Sequence, residues 1–146
     1  VLPFARAFLV WLVICAAEFV HGALRNLYLA PLIGDFRARQ VTVFTGSLLI
    51  LAIAYTMSGR LRPYTRRHLI AVGLFWLVLT LCVDLALGRA TGRSWDDLLA
   101  EFEVWNGGLF PLGLLFLVFA PLLAVHLRGV PVSATRECEY SGKGSR

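Results

Sequence analysis

The chain has 146 residues, 58% of them hydrophobic and only 16% charged, with a net charge of +5. An average soluble domain carries roughly 25% charged residues, so this balance leaves too few polar side chains to cover a water-facing surface and excludes an ordinary soluble fold. Thirteen of the fourteen basic residues are arginines scattered between apolar runs. That pattern fits membrane-edge positions and argues against nucleic acid as a partner, because no basic face is formed.

Four apolar stretches stand out in chain order: 4–24, 41–58, 69–87 and 109–127. Each matches the roughly 20 residues a helix needs to cross about 30 Å of hydrocarbon. Helices are the expected spans, since strands this apolar could not alternate lipid-facing and polar positions. The first stretch, with Arg6, an apolar core and Ala16-Ala17, also has the outline of a signal peptide. Its core is long and no Ala-x-Ala precedes a mature start, so a retained span is the expectation. Between the first two spans, "NLYLAPLIGDFRARQ" (Asn26 to Gln40) is too apolar for a solvated loop. Pro31 and Gly34-Asp35 predict a broken, interfacial or re-entrant segment.

After the third span, "SWDDLLAEFEVW" places Trp95, Leu98, Leu99, Phe102 and Trp105 at helical spacing, with Asp96, Asp97, Glu101 and Glu103 on the other face. This predicts an amphipathic surface helix over 95–105, with Ser94 as N-cap and Asp97 in the place of the capping-box acid. In the fourth span Pro111 lies near the start, where proline is tolerated, and Pro121 predicts a kink. The segment 129–146 is short, polar and rich in Gly and Ser, and predicts a disordered tail.

Orientation follows from the arginines. With both ends in the cytoplasm, the inside holds nine basic residues and the outside five. The short link "RLRPYTRRH" (Arg60 to His68), with four arginines, decides it, because such a loop resists translocation. The expected fold is thus an all-α four-helix transmembrane bundle, N-in and C-in, with an outer amphipathic helix.

Chemistry is expected where ionisable groups meet the membrane. Glu18, His21 and Arg25 fall at i, i+3 and i+7 on one helix face. A carboxylate in hydrocarbon costs on the order of 2.5–3.5 kcal/mol, so Glu18 must be paired, protonated or facing a wet cavity. Gly73, Trp76, Thr80 and Asp84 form a second stripe, ending at the same membrane level. Arg37 and Arg39 stand in the first turns of the second helix, at the positive end of its dipole and against the charge rule. They call for acidic partners, with Asp35 also a candidate N-cap. The predicted outer network is Glu18, His21, Arg25, Asp35, Arg37, Arg39 and Asp84, with a register-fixing role weighed above a ligand or proton site.

Other chemistry is not supported. Cys15, Cys82 and Cys138 form no CxxC and no Cys/His metal spacing. No second histidine shares the level of His21, which disfavours a bis-His haem, and serine-nucleophile, P-loop and dinucleotide signatures are absent; no cofactor or metal is expected. Thr42, Thr45, Gly46 and Ser47 are small residues suited to close helix packing.

The segments "EFVHGALRNLYLAPLIGDFRARQVTVFTGSLLI" and "SWDDLLAEFEVWNGGLFPLGLLFLVFAPLLAVHLRG" resemble a family of small bacterial four-helix integral membrane proteins with no assigned activity, over about residues 17 to 129. The resemblance implies a multi-pass protein of the bacterial inner membrane. The family has Glu where this chain has Asp84, and "DYD" near "EFEVW"; both departures keep acidity. The leading expectation is a structural or accessory membrane component whose partners are the bilayer and a homo-oligomer or another membrane protein. A small oligomeric ion-coupled carrier using Glu18 is the first alternative. A membrane enzyme acting on lipid or quinone at the outer surface, with His21 and Asp84 as acid and base, is the second.

Overall fold

The computed structural model describes residues 3–62, 64–92, 94–100, 102–103 and 109–132. Within them the chain is helical: α1 (Pro3–Leu24), a π-helical turn (Arg25–Leu29), α2 (Ala30–Ile33), α3 (Asp35–Thr56), a 3-10 turn (Ser58–Leu61), α4 (Arg66–Ala90), α5 (Trp95–Ala100) and α6 (Phe110–Leu127). Four of these helical stretches are long and apolar enough to cross a membrane, the first running Phe4–Ile33 without a break.

That continuity corrects the interruption expected at Pro31, while the one expected at Gly34-Asp35 is present. Pro31 stands in the first turn of α2, directly after the π turn. The π turn just before it widens the spiral, with the Ala30 N–H donating to the Arg25 carbonyl, and this wider turn sits where the proline ring would otherwise press on the preceding turn. The chain breaks only at Gly34, whose φ of 86° and ψ of 151° no L side chain adopts without strain. Asp35 is therefore the first residue of α3 and not its N-cap, which is Gly34. The second span accordingly begins six residues earlier than expected.

At the other connections, Thr65 caps α4 by accepting from the His68 N–H at 3.4 Å. Short α5 starts after Ser94, whose carbonyl accepts from the Leu98 N–H at 3.2 Å. It ends at Ala100, and Asp97's side chain, Glu101 and Trp105 lie outside the described residues. Leu98 is buried against Gly88, while Trp95 sits under the Arg89 guanidinium, 5.0 Å from its ring centre. Helix α6 continues through Pro121, which is fully buried. The tail does not leave the fold at once: Val130 and Val132 pack on the core, and 133–146 lie outside the described residues.

Helix α1 packs against α3 and α4, and α6 packs against the same two helices from the opposite side. Chain order makes α1 and α4 parallel, and two indole bonds show it. Trp76 Nε1 donates to the Ala7 carbonyl at 2.9 Å, and Trp11 Nε1 to Thr80 Oγ1 at 3.0 Å, one turn further along both helices. Gly73 lets the α6 backbone come close, since any Cβ there would overlap the Val118 carbonyl. The inward stripe of α3 is also small, with Ala38, Gly46, Ile50 and Ala54 buried at every fourth or eighth position. Large apolar residues face outward on every long helix, Phe19 and Phe44 each 71% exposed, as a protein with a lipid solvent requires.

The bundle has two unlike ends. Arg6, Arg60, Arg62, Arg66, Arg67 and Arg128 gather at the end formed by the start of α1, the 60–68 link and the close of α6. This basic end is tied down by contacts: Arg128 over Tyr55, Arg62 over Tyr64, and Phe4 edge-on to His68.

Candidate functional site

Residues 18 and 21 are three apart on α1, so both side chains lean onto the face that meets α3. There the small residues of α3 let them in. A Cβ at position 46 would stand 3.0 Å from Glu18 Oε2 and 3.2 Å from Oε1, so glycine provides the seat for the carboxyl group. His21 Nε2 lies 2.9 Å from Thr45 Oγ1, and His21 Nδ1 lies 3.4 Å from Glu18 Oε2, a long contact for a hydrogen bond.

Counting hydrogens along this chain is informative. Thr45 Oγ1 donates to the Val41 carbonyl at 3.2 Å, one turn back on α3. With that proton on the Val41 carbonyl, Thr45 is an acceptor for His21, and Nε2 in that tautomer carries a hydrogen. A hydrogen bond between Nδ1 and Oε2 then takes one proton, held either on a neutral acid that donates to a neutral imidazole or on an imidazolium that donates to a carboxylate. Both arrangements have zero net charge, which suits a low-dielectric setting. Removing that proton would leave a bare negative charge. Glu18 Oε1 meanwhile is buried with no hydrogen-bond partner among the described residues.

The other residues of the predicted network are distributed differently. Asp35 pairs with Arg39 at 2.7 Å across one turn of α3, both well exposed, a placement in which ion pairs contribute little. Arg25 donates twice to Asn26 Oδ1, at 3.1 and 3.0 Å. Arg37 is exposed. Asp84 is exposed one turn beyond Thr80, and both it and Glu18 lie within Coulombic reach of Cys15. The structure thus brings together Glu18 with His21, and Asp35 with Arg39, and adds Thr45 and Gly46, which the sequence pattern assigned only to packing. A carboxylate in one span and a glycine beside a hydroxyl in its antiparallel neighbour was the available signal. Among the described residues no three His, Cys, Asp or Glu side chains come together in a metal-binding group.

A second feature lies on the outward face of α6. A groove of about 690 Å³ runs along it, apolar for most of its length and closed at the basic end by Arg66, His126 and Val132.

Compared with protein-family models, with curated proteins and with solved structures, the chain finds no match in any of the three. The geometry of the polar seam and of the helices is therefore what bears on function.

Proposed function

We propose that this chain is a multi-pass protein of the bacterial inner membrane, with both ends in the cytoplasm. In this reading the Glu18–His21–Thr45 chain is its working part, holding one exchangeable proton in a small ion-coupled carrier. The orientation rests on the six described arginines at the basic end, which would face the cytoplasm. Helix α5 then lies on the outer surface, its Trp95 at headgroup depth. Four helices enclose little space, so the carrier would work as an oligomer or beside a partner.

The observation that carries this proposal is the uneven use of the Glu18 carboxyl. One oxygen meets His21, while the other is buried without a hydrogen-bond partner among the described residues. An ionisable group within a span is costly unless it has work to do. A lock serving register alone would be better built from an amide or a hydroxyl.

An accessory, purely structural component is the second reading, and Gly46 favours it, because the carboxyl fills the α1–α3 seam snugly. A partner-seeking face of small residues on α3 would have strengthened it, but Ala38, Gly46 and Ala54 turn inward within the chain. Acid–base chemistry by His21 with Asp84 finds less support, since both ring nitrogens of His21 already face Glu18 and Thr45.

Infrared difference spectroscopy in nanodiscs separates the two. A working proton site gives a carboxylic C=O band that responds to pH in the wild type and is missing in Glu18→Gln. Reconstituted vesicles should also lose pH-driven proton uptake in that variant. Identical spectra and identical uptake in both proteins would leave the structural reading standing.

A further inference from the structure

The groove on α6 lies apart from the polar seam, on a face of exposed and half-buried side chains, and its pattern is specific. Leu112, Leu115, Phe119, Leu122 and His126 follow one another at three and four residues, so they form a single outward stripe along the whole helix. From Leu112 to His126 the rise is about 21 Å at 1.5 Å per residue. That exceeds the depth of one leaflet, about 15 Å of a 30 Å hydrocarbon layer. The stripe is apolar until it reaches the basic end, where His126 and Arg66 stand together at the rim.

Among the described residues no acidic side chain pairs with the charge at that rim. No acidic residue occurs in the sequence between Asp35 and Asp84, or between Glu103 and Glu137, so α4's first half and all of α6 contain none. Among the described residues the Arg66 and His126 side chains make no ion pair. Arg66 and Arg67 moreover occupy the first turn of α4, which has no acid to offset them. Cations are disfavoured at that positive end of a helix dipole, and an anion bound there would relieve both effects.

We propose that this groove is a binding site for one anionic phospholipid, its acyl chain along Leu115, Phe119 and Leu122 and its phosphate against Arg66 and His126. A second copy of the chain fits less well, because its own arginine and histidine would meet the same charges. The proposal is independent of any role for Glu18, and it needs only that the chain sits in a bilayer.

Native mass spectrometry of the full chain, released from nanodiscs holding equal phosphatidylglycerol and phosphatidylethanolamine, tests it. The wild type should retain the anionic lipid about fivefold over the zwitterionic one, the worth of one arginine near a charged membrane surface. Arg66→Gln should bring that ratio close to one and Arg66→Lys should restore most of it. His126→Gln gives a second, milder reduction and serves if Arg66→Gln folds poorly. Arg25→Gln, at the other end of the bundle, should change nothing. Equal retention of the two lipids by the wild type would overturn the site, as would an Arg25→Gln effect equal to that of Arg66→Gln. So would a dimer in the same spectra that Phe119→Arg dissolves, for the groove would then be a protein interface.

Discussion

Helix α1 is held in two unlike ways along its length. In its first half it meets α4 through two indoles, each donating to an acceptor on the other helix, beside a core of Trp76, Leu69, Val72, Val10 and Leu61 that is almost wholly buried. In its second half it meets α3 through Glu18, His21 and Thr45, over buried residues no larger than Ala38 and Gly46. Lipid tails are as apolar as leucine, so burial alone gives helices little reason to associate in a bilayer. The first half solves this by tight packing around large rings, the second by directed polar contacts. Packing of the first kind tolerates little change. A polar contact can lose or gain a proton without opening a cavity, which is why function is sought in the second half.

Substitutions can sharpen that contrast, beginning with the largest effect. Trp76→Ala empties the most voluminous fully buried site and removes the bond to Ala7. It should cost about 3–5 kcal/mol, read as a lowered midpoint when helicity is followed against denaturing detergent. Gly73→Ala drives a methyl group into the Val118 backbone, which can move only if α6 moves. The expected loss is about 3 kcal/mol, the upper part of the usual range for overpacking. The same change at Gly46 meets only the end of the Glu18 side chain, so about 1 kcal/mol is expected. Equal costs at the two glycines would erase the distinction between the halves. Smallest of all, Thr45→Val deletes one inter-helix hydrogen bond, worth about 0.6 kcal/mol in a membrane. In nitrogen-15 spectra Thr45→Val should also shift the His21 ring signals, because Nε2 loses its acceptor, while Trp11→Phe should leave them in place.

The four spans were legible because each is a long apolar run, and their total length and spacing allow little else. Harder to read was the stretch from Asn26 to Gln40. Proline and Gly-Asp ordinarily stop helices, yet here Pro31 falls in a first turn behind a π turn, and Gly34 alone reverses the chain. Local propensity could not separate a break from a widened turn, since the two differ in which carbonyl each N–H reaches. The candidate site was legible in part. Glu18 and His21 share a face by spacing alone, and Asp35 and Arg39 are one turn apart. Nothing local pointed Glu18 toward Gly46 rather than Asp84, because that depends on which helix stands beside which face of α1.

Composition and periodicity alone determined that this chain needs lipid, that its long elements are helices, and that more of its arginines fall toward one end than the other. Those properties follow from the solvation of side chains and the hydrogen-bond demand of the backbone, which act residue by residue. Only the tertiary structure decided that Trp76 reaches Ala7, that Gly73 yields to Val118, and that His21 bridges Glu18 to Thr45. Such pairings depend on the rotation and offset of each helix against its neighbours. In a bilayer those are set by the fit of small residues and a few polar groups, a property of pairs of helices that no single helix contains.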